Sequence, residues 1–202
     1  MNCVNAPDLE CDFRSLGQFL DRSGKVGVIE VVQCRRCGHG KTMPPLPDVG
    51  FLYEGRESQD FQPDARRGFS HLVKDVAFKR DAKRLLAQIG GNVGSILDFG
   101  CGSGQFTRAL GDVYRKGTVT GADMHEVPPL ELADKAYINS RDLIARDQKF
   151  DTVIAMQVLE HDDDTAALLA RIVRNVRDGG KVVIEVPNIS CPWNRIFGKY
   201  WD

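Results

Sequence analysis

The 202-residue chain has no apolar run approaching the roughly 18–20 residues of a membrane helix, so no spanning segment is expected. It has no excess of either charge: Lys+Arg is 27, Asp+Glu is 28 and the formal net charge is -1. That balance argues against a basic nucleic-acid coat and against an acidic solvating tail, and leaves room only for a local basic patch. The opening MNCVNAPDLECD contains neither a basic segment nor an apolar core. It is not read as a secretory leader, and the expected address is cytoplasmic. Internal repeats and low-complexity tracts are absent. Cysteine is modest at 6 residues. In a reducing compartment Cys3, Cys11, Cys34 and Cys37 read as metal ligands or plain thiols rather than disulfides.

What is present divides in two. Residues 1–67 hold four of the cysteines, the knuckle CRRCGHG, the turn-rich MPPLPDVG and one convincing strand at 25–33. They read as a small, loop-rich module with a linker. Residues 68–202 read as a second domain. It opens with FSHLVKDVAFKRDAKRLLAQI, whose apolar residues Phe69, Leu72, Val73, Val76, Leu85, Leu86 and Ile89 recur at three- and four-residue spacing. That spacing predicts an amphipathic helix closed by Gly90 and Gly91. Short apolar runs then alternate with helical stretches: SILDF, VTGAD, AYIN, DTVIAMQ and KVVIEV, with Asp178-Gly179-Gly180 as a stop before the last. The alternation predicts an α/β, Rossmann-like, doubly wound and mostly parallel sheet. Ligands of such sheets sit at the carboxyl ends of the strands.

The sharpest local signal is ILDFGCGSGQF at 96–106. Gly100, Gly102 and Gly104 follow a strand and precede a helix, whose N-terminus offers amide N–H groups to an anion. A dinucleotide fingerprint would place glycine where Gln105 stands, and a phosphate loop would need a lysine that is missing. Asp98 lies beside the turn instead. A carboxylate there repels a pyrophosphate and suits a ligand carrying both an ammonium and a carboxylate. Asp123, at the tip of the second strand, is placed to take two ribose hydroxyls, with a solvated turn residue as the plain alternative. Met124 follows as a candidate adenine contact. After the third strand, Asp142 is the candidate for the adenine amino group and Leu143 for the ring, although an aspartate in a loop is common.

Together, ILDFGCGSG, VTGAD, FDTVIAMQVLEH and VRDGGKVVIEVPN resemble a class I S-adenosylmethionine-dependent methyltransferase over 68–188. The likeness is to the small-molecule branch carrying a VLEH segment, which includes quinone-ring and glycan or deoxysugar methyltransferases. The resemblance implies that Asp98, Gly100 and Gly102 hold the methionyl moiety, Asp123 the ribose and Asp142 the adenine, with Gln157 near the methionyl backbone. Cys101, inside the glycine turn where a small residue is needed, is counted with the cofactor contacts and not as a nucleophile.

Methyl transfer from a sulfonium is an in-line displacement, in which the protein positions the acceptor and excludes water. His161 is the candidate base, with a structural or capping histidine as the alternative. Glu160 orients it or meets the acceptor. Asp162-Asp163-Asp164 reads as the first turn of a helix. In the segment 51–61, Tyr53 or Phe61 is a candidate to face the sulfonium, with Arg56 or Ser58 near the carboxylate; a linker packing its aromatics is the alternative. Cys34 and Cys37 make half of a zinc knuckle; Cys3 and Cys11 are the expected other half despite their wide spacing, and His39 is a possible substitute. A structural zinc and a metal-free remnant both remain open. In the resembling sugar-methyltransferase subgroup a zinc module precedes the core.

The resembled fold ends in two further strands, yet only 14 residues follow KVVIEVPN. The expectation is a C-terminally truncated core, or a bare sheet edge through which the chain associates. The expected partner is a small-molecule or glycan acceptor, methylated at oxygen or carbon. An RNA methyltransferase gripping its substrate through the cysteine module, and a silent cofactor-binding scaffold, are the alternatives; nucleic acid is disfavoured by the near-neutral charge.

Overall fold

The computed structural model describes residues 2–3, 6–21, 24–45, 69–90, 93–162 and 164–192. The chain forms two compact units, Met1–Tyr53 with Pro187–Asp202, and Glu54–Val186. The first unit differs from the sequence division by including the segment after the last strand. There the Gln33 amide donates to Ser190 Oγ at 3.1 Å.

In the first unit, β1 (Asn2–Cys3) pairs antiparallel with β2 (Ala6–Glu10), and β3 (Phe13–Leu20), β4 (Val28–Cys34) and β5 (Gly40–Met43) form a three-stranded antiparallel sheet. The sequence shows only β4, and shows it three residues early. The other strands escape because little of this unit is buried: Cys3, Val32, Gln33 and Cys34 are its buried side chains among the described residues. With so few inward positions, no period-two pattern builds up. The β4–β5 connection is a tight turn in which the Gly38 N–H donates to the Cys34 carbonyl at 3.0 Å. Gly38 takes φ +74° there.

The second unit carries β6 (Ile96–Phe99), β7 (Val119–Asp123), β8 (Ala136–Asn139), β9 (Phe150–Met156) and β10 (Val176–Glu185), in the order β10-β9-β6-β7-β8 and all parallel. Helices α1 (Phe69–Ile89), α2 (Gln105–Val113), α3 (Ser140–Arg146) and α4 (Thr165–Arg174) connect and cover it. Consecutive residues of a strand face opposite ways, and the core divides accordingly. Ile96 and Ile154 pack with Ala82, Leu85 and Leu110 of α1 and α2. Leu97 and Val153 pack with Leu143, Leu168 and Ile172 of α3 and α4. Burial on both faces explains why β6 and β9 read as largely apolar runs without a polar face. This is the doubly wound sheet expected from the sequence.

Two details depart from expectation. Leu72, Val73 and Val76 of α1 are exposed, at 58%, 53% and 71%, so among the described side chains burial falls on the later part of the apolar stripe. Asp178-Gly179-Gly180 lies inside β10 as an irregularity, where the pairing with β9 shifts register between Val176 and Lys181. At the amino ends of the strands, Asp151 accepts hydrogen bonds from the Ser95 N–H (2.7 Å), the Ser95 hydroxyl (2.8 Å) and Arg177 (2.7 Å). This latch ties the entrances of β6, β9 and β10 together and depresses the Asp151 carboxyl pKa, chiefly through Arg177 and Ser95. Among the described residues no helix is long and apolar enough to cross a membrane.

Candidate functional site

The chain leaves β6 in one direction to β7 and has β9 on its other side, so the strand order reverses beside β6. A crevice at the carboxyl ends of the strands is expected at such a reversal, and the glycine turn 100–104 stands there. Gly100, Gly102 and Gly104 all have positive φ, at 75°, 52° and 75°. At Gly100 space is also decisive: a Cβ would lie 2.6 Å from Val158 Cγ2. The backbone therefore approaches the segment after β9 as only glycine allows.

The turn is bonded largely to itself and to its neighbours. The N–H groups of Gly100 and Cys101 both donate to the Ala122 carbonyl (2.8 and 3.0 Å), and that of Gly104 to the Cys101 carbonyl at 2.9 Å. The Gly102 N–H donates to Asp123 Oδ2 at 2.8 Å. With these amides occupied, the turn does not present an open phosphate nest. The anion-facing groups that remain belong to the first turn of α2, where Gly104 caps the helix without a side-chain bond.

Two carboxylates flank the turn. Asp98 is 3% exposed and accepts from the Thr107 hydroxyl at 2.6 Å. Burial pushes its pKa up to about 6; the Thr107 bond opposes the rise and the nearby Asp123 charge adds to it. Among the described residues no cation is recorded against Asp98. A buried carboxylate in this position favours a cationic ligand that would restore its charge. Asp123 accepts from Gly102 on one oxygen and from the Met124 N–H on the other at 2.7 Å. Oδ1 also faces His125 Nε2 at 3.8 Å, and two carboxylate oxygens side by side are what a vicinal diol requires. Thr107 is the member of this group that the sequence did not reveal. It lies nine residues from Asp98, and only the turn of α2 over the end of β6 brings them together.

The remaining expected contacts are distributed as follows. Met124 is 60% exposed at the tip of β7. Asp142 is exposed in the first turn of α3 and pairs with Arg146 at 3.2 Å. Leu143 is 1% exposed and its side chain belongs to the core beneath α3. Cys101 is buried, and burial with the Asp98 and Asp123 charges raises its thiol pKa, keeping it protonated and poorly nucleophilic. Gln157 has φ +56°, a left-handed conformation uncommon outside glycine. Its N–H donates to the Glu185 carbonyl at 2.8 Å and its amide to the Glu185 carboxylate at 3.2 Å, joining the exits of β9 and β10. Glu160 and His161 are exposed in the 3-10 turn Leu159–His161, which Leu159 anchors in the core, next to Val158 and therefore at the edge of the glycine turn. Asp164 caps α4 by accepting from the Ala167 N–H at 2.9 Å, as its dipole favours. Asp163 and the candidates Tyr53, Arg56, Ser58 and Phe61 lie outside the described residues.

In the first unit, Cys3, Cys11, Cys34 and Cys37 bring their sulfurs within 4.8 Å of one another. Cys3 and Cys34 sulfurs are 4.0 Å apart, and those of Cys11 and Cys37 3.9 Å. Four thiolates at the corners of a zinc tetrahedron, with bonds of about 2.3 Å, stand about 3.8 Å apart. Burial works against a Cys34 thiolate, but backbone hydrogen bonds from Cys37, Arg36 and Asp12 prevail and bring its pKa down to about 6. Cys11 is pushed up to about 12 by burial and by Cys34 and Cys37, which disfavour a further negative charge. His39 lies outside the quartet.

The chain is similar in sequence to known methyltransferases. O-methyltransferase cnsE of Penicillium expansum is 28% identical over 183 residues, covering 78% of this chain and 65% of its own length. A ubiquinone biosynthesis O-methyltransferase of Pseudomonas syringae pv. tomato is 32% identical over 104 residues, covering 46% of this chain and 44% of its own. The chain thus spans between about half and two-thirds of these relatives. The crystal structure of magnesium protoporphyrin IX methyltransferase from Synechocystis PCC 6803 aligns at 19% identity with a TM-score of 0.45, covering 66% of this chain and 74% of that one. That likeness is too weak to bear on function. The profile of the methyltransferase-domain family matches residues 61–202, a stretch that contains the whole parallel sheet and the acid-flanked turn. The chain belongs to this family and carries the class I S-adenosylmethionine-dependent methyltransferase fold.

Proposed function

We propose that the chain binds S-adenosylmethionine at the glycine turn and transfers its methyl group to oxygen or carbon of a small molecule or glycan precursor. The supporting observation is the buried Asp98 carboxyl, held near pKa 6 beside a self-bonded turn and next to Asp123. When bound, the cofactor supplies an activated methyl group on a sulfonium. Asp98 faces the ammonium end, α2's first amides meet the carboxylate, and Asp123 takes the ribose hydroxyls. Gln157 shapes the exit of β9 near the methionyl backbone, and Met124 and Asp142 border the adenine. His161 takes a proton from an acceptor hydroxyl or acidic carbon, and Glu160 orients it or contacts the acceptor. The names of the relatives in two kingdoms favour a hydroxyl acceptor.

We also propose that the cysteine quartet holds a structural zinc. Four protein sulfurs leave no open position for chemistry.

Thermal denaturation with millimolar S-adenosylhomocysteine, NAD or ADP tests the ligand class. The homocysteine nucleoside raises the midpoint and the two phosphate ligands do not. Stabilisation by NAD or ADP alone would overturn the assignment. Replacing His161 with Ala lowers turnover of any acceptor that the native protein methylates and leaves S-adenosylhomocysteine affinity unchanged; equal losses in both would remove the base role.

A further inference from the structure

The segment between β7 and β8 contains no long helix; it makes a single 3-10 turn, Leu130–Leu132, before β8 begins. Leu132 in that turn is 0% exposed. It fills the space that two glycines leave open. A Cβ on Gly104 would lie 2.5 Å from Leu132 Cγ, and a Cβ on Gly121 would lie 2.6 Å from Leu132 Cδ1 and 3.0 Å from the Cys101 sulfur. The leucine is therefore wedged between the last glycine of the turn and the middle of β7, where the turn's own cysteine also crowds Gly121.

The wedge is anchored by charge. Glu131, 7% exposed, pairs with Arg108 on α2. Arg108 also pairs with Asp75 of α1 at 2.6 Å. Gln105, the first residue of α2, donates to the same Asp75 oxygen at 2.9 Å. Burial opposes the Arg108 charge, but Glu131, Asp75 and Asp112 outweigh it and raise its pKa.

We infer that Leu132 and the Glu131–Arg108 pair are positioning residues for the cofactor. They set the backbone of 102–105, so that the turn meets the methionyl end of its ligand already in shape. A site held in its bound geometry pays less ordering cost on binding. All three act through the turn. The inference rests on the cofactor reading above, and its test separates the two.

The variants are Leu132→Ala, Leu132→Met and, as a cavity of the same kind elsewhere in the core, Leu168→Ala. Each is titrated with S-adenosylhomocysteine by calorimetry, and amide hydrogen exchange of 102–105 is followed without ligand. Leu132→Ala is expected to weaken binding at least about tenfold and to speed exchange at 102–105. Leu132→Met and Leu168→Ala stay near the native values in both. Leu132→Ala behaving like Leu168→Ala in both readouts overturns the inference. If Leu132→Ala does not fold, Glu131→Gln, which keeps the volume and removes the charge, is judged by the same two readouts. If the native protein binds no S-adenosylhomocysteine, the cofactor reading falls, and the exchange measurement alone still decides whether the wedge sets the turn.

Discussion

Asp98 concentrates the tension between stability and function in one side chain. Its folded pKa of about 6 lies above the ordinary carboxyl value. Between roughly pH 4 and 6 the folded chain keeps a proton that the unfolded chain has released. The ligand-free protein is therefore expected to lose stability as pH rises through that window, and a series of denaturant melts would register the loss. Asp98→Asn keeps an acceptor for Thr107 and removes the charge. It should stabilise the free protein at neutral pH by up to about 3 kcal/mol while weakening S-adenosylhomocysteine binding. A variant both less stable and fully competent to bind would contradict this account. A second consequence is a proton count: near pH 6, binding of the cationic ligand should release a fraction of a proton per site, seen by titrating in buffers of different ionisation enthalpy. Asp123→Ala should weaken the ligand at least about tenfold, because it removes the diol acceptor and frees the Gly102 N–H.

Among the elements, the strands of the parallel sheet were legible from the sequence, whereas in the small unit only β4 and the cysteine knuckle were. ILDF and VTGAD announce β6 and β7 because both faces of the sheet are covered and every position is apolar or tightly constrained. Asp98 and Asp123 could be singled out for the same reason: each is an acid at the end of a run that should contain none. Asp142 and Leu143 adjoin in the first turn of α3, where helical geometry turns the leucine inward while the aspartate faces solvent, a difference that no local pattern in the sequence records. Thr107, Leu132 and the Asp151 latch were invisible because each acts across a distance in sequence that no local pattern records. The latch gives an element-scale prediction. The Asp151 pKa is depressed in the folded chain, so its contribution is present above roughly pH 4 and disappears at lower pH. Asp151→Asn should lower the melting temperature at pH 7 and narrow the gap from the native protein at acid pH. An unchanged midpoint at pH 7 would show that Ser95 and Arg177 are held in place by other contacts.

At the scale of the whole chain, a family fold and a cysteine-rich unit are two stability problems with different solutions. The parallel sheet buries Ile96, Leu97, Val153 and Ile154 completely. The first unit has few such residues, and its sulfurs stand where a metal would replace a missing core. Elemental analysis of protein purified without chelator should give one zinc per chain, and Cys34→Ser should abolish it. Zinc retained undiminished in that variant would refute the quartet. The central claim is that the turn after β6, between Asp98 and Asp123, takes a zwitterionic sulfonium nucleoside. Isothermal titration of the native protein with S-adenosylhomocysteine at pH 7 addresses it most directly: the account predicts one saturable site per chain, lost or strongly weakened in Asp123→Ala, whereas a folded protein that gives no binding heat up to millimolar ligand would contradict it.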